Sequence, residues 1–433
     1  MGMSRPLRIL LTNITLATRT GTELWIKEAA LGLLRRGHAP MVYTPDPGVI
    51  ADEIRAATVP VVDDLSRLGV RPDVIHGHHH QPAMAALLQF PGVPALFVSH
   101  DWISWNDQPP RFPRILRYVA VDATNRDRLV VENGIPEDRV RVLLNWVDLE
   151  RFRPRGPLPE RPRRALVFSN YARAVTTLPA IEEACRRAGL ELDVIGEGSG
   201  RLLARPEEVL GEYDLVFAKA RAALEALAAG AAVVLCDAAG LGPLVTSADL
   251  DALRRLNLGV RALRDPVTPD GLLREIQRYD PRDAAEVSRR VRATAGMEPA
   301  LDQLVVLYRE VIAAGEAAVP WDAVEEAQAA AAYLSRWTTG AQRELQAFRA
   351  DRDRLQNEHV RLESDLDRLQ NDLDQSRNDL DQSQSDRLRL QNDLSFLHGS
   401  ATWRLRERLL SLPGVRSLYR GVRSLSGRPP RLP

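Results

Sequence analysis

The sequence predicts an α/β protein: two doubly wound, largely parallel-sheet domains in tandem, followed by a long α-helical coiled coil. Three observations predict it. Short apolar runs alternate with helical patterns over residues 8–152, the same alternation resumes over 165–314, and a leucine heptad begins at Leu345. With 433 residues, 45% of them hydrophobic, the chain has enough material for two or three buried cores.

Element by element, the first domain (1–152) reads as strand 9–11, helix 23–34 closed near Gly37, and strands 41–43 and 73–76. Helix 82–88 and strands 95–99, 118–121 and 140–144 complete it. Strands this short, separated by helices at this spacing, suit a parallel sheet with sites at the strands' carboxyl ends. A proline-rich charged linker occupies 153–163. The second domain (164–318) continues with strand 165–168, helix 178–188, strands 192–195 and 215–217, helix 222–229 and strand 232–236, with helices filling most of the rest. Two such domains commonly bind a ligand in the cleft between them.

A helical connection (319–340) leads to the coiled coil, 341–398. One seam carries Leu345, Leu366, Leu373, Leu380 and Leu394, and the other Phe348, Leu355, Leu362, Leu369, Leu390 and Leu397. Polar seam residues Arg352, His359, Ser376, Ser383 and Arg387 weaken the seam and select register or partner, so self-association or partner helices are expected. A lone solvated helix would leave the apolar stripe exposed. The tail, 399–433, sets eight arginines against Glu407, with Trp403, Leu405, Leu409 and Leu412 at helical spacing and a break at Pro413-Gly414. A basic amphipathic helix pair suits an anionic membrane surface, and a cap packed on a protein partner is the other reading.

Composition narrows the function classes. Basic and acidic side chains number 58 each, which argues against a nucleic-acid binder. Two cysteines, Cys185 and Cys236, are too few for a disulfide framework and fit a reducing, cytoplasmic compartment. No apolar run reaches the ~18 residues of a membrane-spanning helix, and residues 7–16 are strand-like rather than a signal peptide. Lysine occurs only as Lys27 and Lys219, every other base being arginine.

Five places carry candidate chemistry. Thr20, Gly21, Thr22 and Glu23 lie between the first strand and helix, where glycine lets a ligand approach and the helix start offers free amides; a plain turn accounts for them equally well. His76, His78, His79 and His80 follow a strand, and because neighbouring side chains diverge there, a polar loop facing the cleft is favoured over zinc. His100 and Asp101 end another strand, where an imidazole can meet a substrate hydroxyl or serve the structure. Gly196 and Gly198 permit a tight turn with amides for phosphate oxygens. Lys219 and Arg221 precede Glu225 on one helix: the carboxylate can accept ribose hydroxyls and a base can neutralise a diphosphate, the alternative being a solvated glutamate.

Taken together, these residues resemble the retaining glycosyltransferases of family 4, over about residues 7–315. The motifs are Thr20-Gly21-Thr22-Glu23, Arg36-Gly37-His38, PDVIHGH at 72–78, VSHD at 98–101, LLNWVDLERF at 143–152 and LEALAAGAAVV at 224–234. The resemblance implies the GT-B fold of two facing Rossmann-like domains. It also implies sugar transfer from a nucleotide-diphosphate sugar co-substrate, with retained anomeric configuration, no cofactor and no metal. By position it gives His100, Lys219 and Arg173 catalytic roles, Lys219 or Arg173 balancing the departing diphosphate. Gly21, Thr22, Gly196, Gly198, Arg221 and Glu225 would bind the donor. Glu23, His76, His78 and Asp101 would lie on the acceptor side, with a glycan, glycolipid or glycoprotein as acceptor. Two features depart from the pattern: Phe217 stands where a donor-reading glutamate is usual, and 169–173 lack a clear arginine-lysine pair. A nucleotide-sugar epimerase on the same fold and a non-catalytic coiled-coil scaffold are the alternatives. The expected location is the cytoplasm, at the inner face of the plasma membrane.

Overall fold

The computed structural model describes residues 5–172, 176–196, 198, 200, 203–318, 320–412 and 414–415. It divides into two units, 1–335 and 336–433.

In the first unit, apolar strands rich in Val, Ile and Leu build a seven-stranded parallel sheet. Its strands are β1 (Arg8–Thr12), β2 (Ala39–Tyr43), β3 (Val61–Val62), β4 (Val74–His78), β5 (Ala95–Ser99), β6 (Ile115–Ala120) and β7 (Val140–Val142), in the order β3-β2-β1-β4-β5-β6-β7. The helices α1 (Gly21–Arg35), α2 (Val49–Ala56), α3 (His80–Gln89) and α4 (Ala123–Asp127) connect them. Strands buried on both faces read as near-continuous apolar runs, which is why all but the two-residue β3 were legible in sequence.

The second sheet runs β12-β11-β10-β8-β9, from β8 (Arg164–Phe168), β9 (Glu191–Ile195), β10 (Leu215–Ala218), β11 (Ala232–Asp237) and β12 (Gly240–Leu244). Around it lie α5 (Leu178–Ala188), α6 (Ala220–Ala229), α7 (Leu250–Arg255), α8 (Pro269–Ile276) and α9 (Pro281–Thr294). All its pairs are parallel except β11 with β12. That antiparallel edge strand, sequence GLGPL, was not expected: glycine and proline mask it, and the ladder of β11 imposes it. The short α2 and β3 were not expected either.

The chain then crosses back. Val147 and Gly296 form an isolated bridge, and α10 (Met297–Ala317) sends Met297, Leu301, Leu304, Tyr308 and Val311 into the first sheet's core beside Trp25 and Leu33. The helix grouped by sequence with the second domain therefore packs in the core of the first.

Next, α11 (Ala323–Gly399) is one uninterrupted helix, so no break separates the expected connection from the coiled coil. Its first turns are anchored in the first unit. Ala329, Ala330 and Tyr333 pack against the core around Phe90 and Tyr118, and Glu326 pairs with the buried Arg114. That guanidinium also donates to the carbonyls of Leu87 and Phe90 at the end of α3, where a cation complements the helix dipole, and to that of Val93 in the loop beyond. In the second unit, α12 (Ala401–Ser411) starts at Ser400, whose hydroxyl accepts from the Trp403 amide at 3.2 Å. It bears the first half of the amphipathic tail; the second half, from Arg416, lies outside the described residues.

Replacing Arg114 strands three buried carbonyls and one carboxylate. Arg114→Met is expected to lower the unfolding free energy by about 3 kcal/mol, read from urea melts. A loss within experimental error would refute the anchoring role.

Candidate active site

At the carboxyl ends of the second sheet, three side chains from three strands converge. Ser169 follows β8, Asp237 ends β11 and Lys219 follows β10. The Ser169 hydroxyl donates to Asp237 Oδ1 at 2.9 Å, and Lys219 Nζ lies 2.5 Å from Asp237 Oδ2 and 5.0 Å from the centre of the Tyr171 ring. Beside them, Gly196 has φ +148° and packs so closely that an added Cβ would sit 2.0 Å from the Ser169 carbonyl oxygen. Only glycine fits that approach. The Gly198 amide donates to the Asn170 carbonyl at 3.1 Å. An open cleft of about 560 Å³ adjoins Asp237, lined by Thr176, Thr177, Ala238, Gly240, Arg264 and Asp265. Among the described residues, the buried Thr177 hydroxyl has no hydrogen-bond partner. Arg173 lies outside the described residues.

The turn from β10 to α6 contains Lys219 alone, and Ala220 enters the helix at φ +50°. Phe217 is fully buried within β10, so neither it nor so short a turn presents a side chain in place of the usual glutamate.

A second cluster joins the two domains. Arg221 of α6 donates from Nε to Glu225 Oε1 at 2.8 Å and from Nη2 to Glu28 Oε1 of α1. Glu28 also accepts from the Trp146 indole at 2.9 Å, and Arg151 lies 3.4 Å from Glu28 and 2.9 Å from Glu207. Burial opposes the charge on Arg221, but the two carboxylates prevail and raise its pKa. Burial raises the pKa of Glu225 despite the opposing pull of Arg221. Arg221 and Glu225 thus lie together, as their four-residue spacing requires, but against each other and α1.

In the first domain the strand-end histidines turn inward. His76 and His78 are fully buried. His76 Nδ1 lies 2.6 Å from the Tyr308 hydroxyl, His76 Nε2 2.8 Å from His78 Nε2, and His78 Nε2 3.4 Å from His100 Nε2. Trp25 packs against all three rings. Burial drives His76 down to about 3 and His79 and His80 to about 4. Burial, then the neighbouring imidazoles, puts His78 and His100 well below the usual value. His100 is the partly exposed end of this neutral stack. The Ile14 amide donates to His79 Nδ1, and His80 Nδ1 lies 2.8 Å from the Tyr333 hydroxyl.

The remaining expected residues sort by burial. Glu23 is fully buried, its carboxylate accepting from the Thr18 hydroxyl and the Thr18 and Thr20 amides, which makes it a helix-start cap rather than an open acceptor contact. Burial likewise removes His76 and His78 from direct acceptor contact. Gly21 faces open space, with nothing within 4 Å of where a Cβ would be, and Thr22 is partly exposed beside it. Asp101 is exposed and accepts from the amides of Ile103 and Ser104 at 2.7 and 2.9 Å. Sequence reasoning missed Glu28, Trp146, Ser169 and Asp237. Glu28 had a signal: an acid on the apolar face of α1, between Trp25 and Ala29.

Residues 19–151 match the family model described as Glycosyltransferase Family 4. No curated protein matches the chain. Among solved structures, a glycosyltransferase from Rickettsia africae is similar, with 14% identity and a TM-score of 0.54 over 71% of this chain and 99% of that one. Anabaena HepE, solved in complex with UDP and glucose, gives 14% identity and a TM-score of 0.50 over 70% of this chain and 99% of its own. The chain thus has the GT-B fold, and its residues 19–151 resemble the family 4 domain, as the sequence motifs implied.

Two outcomes follow from the geometry. Arg221→Met leaves Glu28 and Glu225 buried without their shared cation, and is expected to cost about 3–5 kcal/mol in chemical denaturation; an unchanged midpoint would contradict the role assigned to Arg221. The histidines also make stability depend on pH. Their folded pKa values lie below the unfolded value of about 6.5, so between pH 6.5 and 4 the unfolded chain binds more protons and stability falls with acidification, by at most about 1 kcal/mol per pH unit for a single ring such as His79. Asp107, pushed up to about 7 chiefly by burial, works in the opposite sense across the same window. His79 has φ +56°, which asparagine tolerates, so His79→Asn should keep the fold and flatten this slope in urea titrations at pH 5 and 7.

Proposed function

We infer that this protein transfers a sugar from a nucleotide-diphosphate donor to a surface-glycan acceptor, with retention of configuration and without a metal. The observation that carries the reading is the Ser169–Asp237–Lys219 group at the carboxyl ends of the second sheet, beside the Thr177 cleft. A crevice outside the strand ends is where open α/β sheets bind nucleotides.

In this reading the nucleotide lies in that cleft and its diphosphate approaches Lys219. As the bond from the anomeric carbon to the diphosphate breaks, its electron pair leaves with the phosphate oxygen, and the acceptor oxygen bonds to carbon and passes its proton to that departing phosphate. Negative charge grows on the leaving group, so a cation already held in place by Asp237 stabilises the transition state more than the bound donor. Gly196 and Gly198 keep the neighbouring loop close to Ser169 and Asn170, leaving room for phosphate oxygens. Glu225 receives the ribose hydroxyls, with Arg221 holding its carboxylate. His100, at the exposed end of the stack, meets the sugar, and Gly21, Thr22 and Asp101 border the first domain's face of the cleft. Anabaena HepE is solved with UDP and glucose, which makes a uridine diphosphate hexose the first donor to try.

Among the described residues no helix is long and apolar enough to cross a membrane. α12 instead exposes Leu405, Leu409 and Leu412 among Arg404, Arg406 and Arg408, a surface suited to anionic lipid and so to an acceptor at the inner membrane face. One observation favours a second reading: the one-residue turn at Lys219 and the buried Phe217 leave no glutamate to read the donor sugar, as a non-catalytic scaffold would.

The deciding experiment incubates purified protein with uridine, guanosine and thymidine diphosphate sugars, reading thermal shift and nucleotide release. A donor at 100 times its Kd should add about 2.7 kcal/mol of stability, and Glu225→Ala should abolish the response. Lys219→Met should lower kcat more than it raises KM. Stabilisation without release, even with candidate acceptors, would establish the scaffold, and no response to any nucleotide would sink the donor site.

A further inference from the structure

In the second unit, α11 carries a seam that no described residue covers. From Leu345 to Leu397 none of its residues is buried, and ten seam leucines are each more than half exposed. A stripe of this kind is unfavourable in water and needs a cover. The residues flanking it indicate which cover.

With Leu345 at heptad position a and Phe348 at d, position g is occupied in order by Glu344, Asp351, Glu358, Asp365, Asp372, Asp379, Asp386 and Asp393. All eight are acidic. Position e carries Arg349, Gln356, Glu363, Gln370, Arg377, Gln384, Gln391 and His398. When two such helices run antiparallel, g faces g and e faces e, so the whole acidic column would oppose its copy. When they run parallel and in register, each g faces the e position five residues further along the other helix. Glu344 then meets Arg349, Asp372 meets Arg377 and Asp393 meets His398, with only Glu358 and Glu363 in conflict.

The polar seam positions agree. In a parallel pair, Arg352 and Arg387 at a lie next to the g carboxylates Asp351 and Asp386 of the opposite helix, within reach of a long arginine. In a three-stranded assembly the same arginines would crowd a closed central axis. We propose that the helix pairs with a second copy of itself as a parallel, in-register, two-stranded coiled coil over 345–397. The acidic column excludes the antiparallel arrangement, and the seam arginines hold the number at two. The pairing sets the two copies' Leu345 side by side, so the two chains are joined at matching ends of the rod.

The test uses the full chain. Light scattering should give the mass of two chains, and Phe348→Cys should form a disulfide with its own copy on mild oxidation, Cys185 and Cys236 being buried. Arg377→Glu should raise the dissociation constant about tenfold, through two lost attractions and two new repulsions. Adding Asp372→Arg should restore it, because those positions face each other only in the parallel pair. A mass of one or three chains would overturn the proposal. So would preferential crosslinking between Phe348→Cys and Leu394→Cys chains, or a tightening by Asp372→Arg alone, the signatures of antiparallel pairing. None of these readouts depends on sugar transfer, so the proposal and the enzymatic reading fail separately.

Discussion

A buried arginine, Arg221, links the two α/β domains through carboxylates of both. Arg221 is nearly buried, with a carboxylate on each side: Glu225 from its own helix and Glu28 from α1 of the opposite domain. A buried cation between two acids is stable only while both contacts persist, since losing either leaves a charge desolvated and unpaired. Trp146 and Arg151 brace Glu28 from the segment that ends the first domain, and Arg151 reaches on to Glu207 in the second. The arrangement couples the glutamate expected to hold ribose to the geometry of the domain interface.

The histidine stack supplies a different constraint. Rings that are charged in water near pH 6 are kept neutral by burial, and neutrality lets them lie tilted against one another from Tyr308 to His100 without repulsion. Tyr308 comes from α10, the helix that returns from the second domain. The return thus closes the first core and also reaches, through His76 and His78, the strand-end His100. A cluster that looks in sequence like a polar loop is here an interior element.

Much of this was legible from residue order, for reasons that particular elements make clear. Strands such as β5 and β11 are buried on both faces and read as unbroken apolar runs; α1 and α5 carry a period set by one buried face. β12 was not legible, because GLGPL has no strand signal of its own and forms only when β11 offers its open edge. The same distinction runs through the site. Lys219, Glu225 and His100 were visible as polar residues at strand ends or on a helix flank. Asp237, the partner that positions Lys219, looked like the end of an apolar strand.

What the sequence by itself determined is periodic and local: two alternating α/β domains, a linker, a heptad helix, and the family motifs over the first domain. Hydrophobic spacing reports which face of each element is buried, and capping and turn residues report where elements stop. Which polar groups meet was decided by tertiary structure alone. Glu28 and Arg221 are 193 residues apart, and His76 and Tyr308 are 232 apart. Contacts at such separations arise from sheet order and from the crossing back of α10, neither of which leaves a local pattern. The fold brings Lys219 against Asp237 and turns Glu23, His76 and His78 inward because a buried polar group must find a partner wherever the packing places one.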